Sequence, residues 1–240
     1  MRYREFAGPE DMRSVVQALW VVEGVIGEAV RVTPDACVDM IALDDGVGEV
    51  LLNGPMPVAE VVTLAASRVH GLRLVPGTLP RLGAVTSLAE VRGAERVVPG
   101  PGTGGSPLVQ LMDWARSLLS SGILERNADV DAALSRQASG ASTTATRRVG
   151  PRQMQRLFAT YVGLSPQETF GVIRQSLVVR ALRSGGGSAL AVLAADHGYA
   201  DQAHLTRAFT RLAGVPPGAY RREIADDVFV QDRPAGSTRL

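Results

Sequence analysis

Two stretches of this chain are copies of one another. Arg156-Leu157-Phe158 is followed after four residues by Gly163-Leu164-Ser165-Pro166. Arg207-Ala208-Phe209 is followed after four by Gly214-Val215-Pro216-Pro217, an offset of 51 in each case. The shared form, Arg-x-Phe-x4-Gly-(Leu/Val)-x-Pro, describes a short helix that ends at a glycine and is stopped by a proline. Each helix is two-faced. Met154, Leu157 and Phe158 belong inside in the first copy, and Leu205, Ala208 and Phe209 in the second. Arg152, Gln155 and Arg156 lie outward in the first; Gln202, His204, Thr206 and Arg207 lie outward in the second. Arg and Gln can bond guanine and adenine edges in pairs, and Thr can meet a thymine methyl.

Charge follows the same division. Residues 1–125 carry 10 Arg against 15 Asp and Glu; residues 126–240 carry 15 Arg against 9. Residues 147–222 alone hold 11 Arg, with only Glu168, Asp196 and Asp201 as acids. A segment this basic seeks a polyanion, most often nucleic acid. Lysine is absent, so every side-chain cation other than histidine is a permanently charged, bidentate guanidinium. Upstream of the second copy, Ala189–Ala195 reads as a short apolar helix and His197-Gly198-Tyr199 as a tight turn. Helix, glycine turn and helix make a helix-turn-helix unit.

These residues carry a resemblance. Gly198-Tyr199-Ala200-Asp201-Gln202-Ala203-His204-Leu205-Thr206-Arg207-Ala208-Phe209, then Gly214-Val215-Pro216-Pro217-Gly218-Ala219-Tyr220-Arg221, resembles the C-terminal signature of AraC/XylS-type transcription regulators. Pro151–Phe158, with Gly163–Pro166 and Arg174, is similar to the first recognition helix and linker start of that family. The resemblance spans roughly 130–222. It implies two helix-turn-helix units joined by a linker helix, reading adjacent major-groove segments through helices at 151–161 and 201–213. Base contacts would fall on Arg152, Gln155, Arg156, Gln202, His204, Thr206 and Arg207, and phosphate contacts on Arg148, Arg183 and Arg211. The implied partners are double-stranded DNA, RNA polymerase, an unidentified small-molecule effector and a second copy of the chain. The departures lie at the first unit. Gly140–Arg147 lacks the usual Leu and Ile, Arg148 stands at the turn glycine, Gly150 at a capping Ser and Thr169 at a common aromatic.

The N-terminal half reads as β-rich. Val-rich runs alternate with turn signals over Arg31–Leu43, Val47–Leu52, Val58–Ala66, Gly71–Val75 and Ala84–Leu88. Glu10–Val22 reads as a helix, or as a helix running into a strand. The breaker Pro99–Pro107 closes this half, and Ser106-Pro107 opens an amphipathic helix to Gly122. That helix could pair with its copy in a dimer or pack on the β domain. Arg31–Met40, with Trp20 upstream, resembles a Pro-Asp-x-Cys-x-Asp stretch in N-terminal domains attached to AraC-type regulators. That implies a cupin-like barrel, with Trp20, Arg31, Asp35, Asp39 and His70 as candidate ligand contacts and Arg68 worth watching. The fold class expected is α+β. A β-rich domain spans 1–98, a linker and interdomain helix 99–125, a DNA-binding domain 126–224 and a loose tail 225–240.

Other classes find less support. No run of about 18 apolar residues marks a membrane span, and no apolar segment follows Met1–Glu5 as a signal peptide would require. A single cysteine, Cys37, excludes an internal disulfide and reads as a buried small hydrophobe rather than a redox sensor. His70, His197 and His204 match no metal spacing, and neither a nucleophile elbow nor a Walker loop is present. No catalytic residue, metal or cofactor is expected, and the setting is cytoplasmic. Two rivals remain: a DNA-binding protein whose N-terminal domain serves only dimerisation, and a cupin-like enzyme fused to a DNA-binding module. A pocket with convergent polar groups favours sensing; a collapsed core favours dimerisation.

Overall fold

Alternating apolar positions and breaker-delimited helices organise the chain into a β-rich half followed by a helical half. The computed structural model describes residues 1–43, 47–102, 104–138, 149–184, 188–225 and 228–232. The first half contributes β1 (Arg2–Ala7), β2 (Val16–Glu23), β3 (Ala29–Val32), β4 (Val38–Leu43), β5 (Glu49–Asn53), β6 (Glu60–Thr63), β7 (Arg68–Leu74), β8 (Thr78–Pro80) and β9 (Glu95–Pro99). Then come α1 (Pro107–Ser120), β10 (Leu124–Arg126), α2 (Ala128–Ala138), α3 (Pro151–Tyr161) and α4 (Pro166–Arg183). The chain continues through α5 (Leu190–Asp196), α6 (Gln202–Ala213), α7 (Pro217–Glu223) and β11 (Val228–Asp232). The main sheet runs β11-β1-β2-β7-β4-β5-β9, with separate ribbons β3-β6 and β8-β10.

Several local expectations change. Glu10–Val22 forms one 3-10 turn, Glu10–Met12, and then strand β2. Successive residues alternate buried and less buried from Val16 to Trp20, which is a strand period. Ala84–Leu88 is not a strand but leads into a 3-10 turn at Leu88–Val91, capped by the Ser87 side chain. The tail expected to be loose supplies β11, parallel to β1 from Arg2↔Val228 to Phe6↔Asp232. The weak helix expected around Gly140–Arg147 lies outside the described residues.

The sheet has two apolar faces. Met40, Leu52, Leu72 and Leu74 pack on one side with Leu111, Met112, Ala115 and Leu118 of α1. The stripe of α1 is thus spent on the sheet, the second of its two expected roles. The same core takes in Met154 and Phe158 of α3, with Leu164 and Val172. The first helix-turn-helix unit therefore shares its core with the β-rich half. The second unit has its own core, in which Val178, Leu182, Leu193, Leu205, Phe209 and Tyr220 meet. A third cluster, built on Trp20, Val22, Ile41, Leu64 and Val69, lines the opposite sheet face beneath the β3–β6 ribbon.

Candidate functional site

The two helices of the repeat are built alike. Gly150 precedes α3 without a side-chain cap, and Pro151 takes the first helical position, where its missing N–H costs nothing. Asp201 caps α6, its carboxylate accepting from the His204 amide at 2.6 Å. Gly163 and Gly214 follow the helices at φ +77° and +76°, a left-handed conformation that suits glycine. Both helices bury the predicted face: Met154 and Phe158 in one, Leu205 and Phe209 in the other.

The outward faces also emerge. Arg152, Gln155 and Arg156 are exposed on α3; Gln202, His204 and Arg207 are exposed on α6, with Thr206 half-buried. The Thr206 hydroxyl donates to the Gln202 carbonyl, so its methyl is what remains for a base. His204 helps build the turn. Its Nδ1 accepts from the Ala200 amide, and its ring meets Tyr199 edge-on at 5.4 Å. Arg174 closes the same turn from α4, with its guanidinium over the Tyr199 ring at 5.6 Å.

The phosphate set fares differently. Arg211 is exposed in the last turn of α6, and Arg148 lies outside the described residues. Arg183 corrects the expectation. Its Nε donates to the Tyr220 hydroxyl at 3.0 Å, and its guanidinium lies 6.0 Å from the Tyr3 and Tyr220 ring centres. It lines a cavity, so its guanidinium is engaged within the protein rather than turned outward with Arg211.

That cavity, of about 350 Å³, is the second candidate site. Its floor is the third-cluster face of the sheet, and the β3–β6 ribbon forms a wall. The side chains Ser176, Val179, Arg180 and Arg183 of α4 complete the lining, with Ile224 beyond α7. Strand register makes the floor amphipathic. Arg73, Asp39, Asn53 and Glu95 are successive partners across β7, β4, β5 and β9 and form a polar row. Two residues along, Gly71, Ile41 and Leu51 form an apolar row. The Trp20 indole lies directly on Gly71, where any Cβ would collide with the ring.

Arg73 organises the polar end. Its Nε and Nη2 donate to the two Asp39 oxygens at 3.0 and 3.1 Å. Its Nη1 lies 2.9 Å from Asp35 and 4.0 Å from Glu5. Trp20 Nε1 donates to Asp39 at 2.9 Å, and the Tyr3 hydroxyl donates to Glu5 at 2.8 Å. Burial opposes the charge on Arg73, but Asp35 and Asp39 outweigh it and hold the guanidinium firmly protonated. Burial pushes the Asp35 carboxyl above its ordinary range against the pull of Arg73. Burial, with Asp35 beside it, also raises the Cys37 thiol, which donates to Gln17 at 3.0 Å. A thiol so placed is a poor nucleophile.

Of the candidate ligand residues, Trp20, Arg31, Asp35 and Asp39 meet in the cavity lining. His70 does not. It alternates with Val69 and Gly71 on β7 and turns to the face that carries Leu72 and Leu74. Arg68 lies outside the lining, 3.2 Å from Glu23. Arg73 escaped sequence reasoning, as did Tyr3 and Glu5. The one available signal was a lone guanidinium inside the apolar run Val69–Val75.

The cavity wall also reaches the repeat. Arg31 pairs with Glu223 at 2.9 Å and donates to the Ala213 carbonyl at 3.2 Å. The Ala59 amide donates to the Leu212 carbonyl at 2.6 Å, and the Ser87 hydroxyl to the Ala159 carbonyl at 3.1 Å. The β-rich half therefore supplies donors to the carbonyl ends of both α3 and α6.

Residues 145–223 match the family model described as a helix-turn-helix domain. No curated protein matches the sequence. Among solved structures the chain is similar to ToxT of Vibrio cholerae. An apo variant aligns with a TM-score of 0.49 at 11% identity, covering 87% of this chain and 97% of that one. ToxT bound to a methylnaphthalenyl butenoic acid gives 0.47 at 10% identity, over 84% and 97%. Fatty-acid-bound ToxT gives 0.46 at 12% identity, over 87% and 95%.

Proposed function

We propose, from the helix-turn-helix match at residues 145–223, that this chain is an AraC-type transcription regulator whose DNA grip answers to a small molecule in the cavity. DNA is read by α3 and α6. Arg152, Gln155, Arg156, Gln202, His204 and Arg207 stand exposed there, and Thr206 offers a methyl. Good bidentate contacts discriminate by about 1–3 kcal/mol each.

The observation that carries the effector reading is the make-up of the cavity lining. The sheet supplies its floor, and α4, the helix joining the two units, supplies part of its lining. A ligand seated there touches the connector between the two recognition helices. Convergent polar groups around an open volume favour sensing over a purely structural N-terminal half. Nothing in this reading calls for catalysis. The protein acts in the cytoplasm, with RNA polymerase as its further partner. The apolar stripe of α1 is buried on the sheet, so pairing of two copies needs a different surface.

The test begins with capture of genomic fragments by purified protein at two salt concentrations. A few fragments that survive the higher salt define the operator. Arg207→Ala then weakens operator binding by at least about tenfold while changing non-specific binding far less. Unchanged affinity and discrimination in that variant removes α6 from base readout. Operator affinity that responds to no cavity-directed compound removes the effector.

A further inference from the structure

The polar end of the cavity has a charge preference of its own. Three carboxylates, Glu5, Asp35 and Asp39, surround one guanidinium, Arg73. All three Arg73 nitrogens face those carboxylates, so Arg73 has no edge left for an anion. The surplus at this end is therefore negative. Glu95, the last member of the polar row, extends it.

The cations on the other sides are engaged or lie at the opening. Arg31, from β3, is paired with Glu223 and with the carbonyl end of α6. Arg183, from α4, is held by the rings of Tyr3 and Tyr220. Arg180 is exposed. Aromatic surface adjoins the carboxylates. Tyr3 and Trp20 stack at 6.2 Å with an interplanar angle of 24°, and each bonds one carboxylate of the cluster. Carboxylates beside aromatic faces are the chemistry that holds ammonium groups. Beyond them the lining is apolar, with Ile41, Leu51, Leu64 and Val69.

We propose that this cavity takes a small amphipathic amine, its ammonium group between Glu5 and Asp35 beside the Tyr3–Trp20 pair. The apolar body runs along Ile41, Leu51 and Val69. The assignment rests on the reading of the cavity as the effector site and adds the class of ligand.

The test compares three eight-carbon probes, octylammonium, octanoate and octanol, by calorimetric titration of the full chain. Fluorescence of Trp20 is followed in a Trp114→Phe background. Octylammonium is expected to bind about tenfold or more tighter than either other probe, the size of one charge-assisted contact. Glu5→Gln and Asp35→Asn should each remove most of that advantage and leave octanol unchanged. Thermal melts of both variants check that the fold is intact. Octanoate binding as well as or better than octylammonium overturns the proposal, as does a full advantage in both folded variants. Failure of all three probes overturns it too. Octylammonium that binds as expected but leaves operator affinity unmoved supports the ligand class and sinks the effector reading instead.

Discussion

Gly71 is the residue on which the cavity floor depends. Its missing side chain lets the Trp20 indole lie on β7 and reach Asp39. Gly71→Ala forces the ring away and separates Trp20 from Asp39. The expected loss is about 1–3 kcal/mol, the usual cost of overpacking. Chemical denaturation measures it, and a shift in Trp20 emission locates it. Ala36 carries the opposite kind of strain. At φ 62° it is the non-glycine residue held left-handed among the described residues, and it sets Asp35 and Cys37 on either side of the turn. That conformation costs an L-residue roughly 1–2 kcal/mol, while glycine's extra freedom when unfolded costs about 0.4–1. Ala36→Gly should therefore leave stability unchanged or raise it by up to about 1.6 kcal/mol. A clear loss in the same denaturation assay contradicts the strain. Neither position could be valued from sequence. Gly71 matters through a tryptophan directly opposite it on the neighbouring strand but 51 residues away in the chain, and Arg73 through Asp39, which sheet register sets beside it, and Asp35, from the loop before β4.

At the scale of elements, the helices of the repeat were legible because their signals are local. Proline at the start, glycine at the end and a 3.6-residue apolar stripe lie within a dozen residues of one another. The β-rich half was less legible. No local pattern announces β1, β8 or β9, and that of β2 reads as partly helical, because strand identity depends on partners elsewhere. Helix α4 shows both kinds of signal. Ser165 and Glu168 form a capping box visible in sequence. Glu168 also meets Arg92 of the β-rich half at 2.7 Å, which sequence does not reveal. Burial pushes the Glu168 carboxyl up, but bonds from Ser165 and Arg92 more than offset it and lower its pKa. A carboxylate lowered on folding contributes stability that is complete above its ordinary value of 4.5. That contribution disappears as pH falls through the lowered value. Glu168→Ala should cost about 1 kcal/mol at neutral pH, as loss of a cap does. The gap from the parent should narrow in acid. A difference that stays constant down to pH 3, about a unit and a half below the ordinary glutamate value, contradicts the linkage.

Over the whole molecule, the boundary drawn at residue 125 does not separate two cores. The first unit is fused to the β-rich half through Met154, Phe158 and Leu164, whereas the second keeps its own core and is joined by discrete contacts. Arg31–Glu223 is one of these, between residues 192 positions apart, and no local pattern announces it. Glu223→Gln should leave overall stability within about 0.5 kcal/mol, as surface ion pairs do. It should change operator affinity, because it frees the second unit relative to the first. Fluorescence anisotropy on the captured operator reads this, and an unaltered affinity places the hold on α6 in the backbone contacts at Leu212 and Ala213 instead. The glycine that ends each recognition helix sits against the β-rich half: Gly163 near Pro55 and Leu88, and Gly214 near Arg31. Each helix is thus clamped at its heel with its toe outward. The 12-residue α6 is roughly 18 Å long. A swing of about 10° at the heel carries the toe through about 3 Å, close to the ~3.4 Å step between neighbouring base pairs. An adjustment too slight to disturb the packing around a bound molecule is therefore geared up, along the helix, into a full position on the DNA ladder.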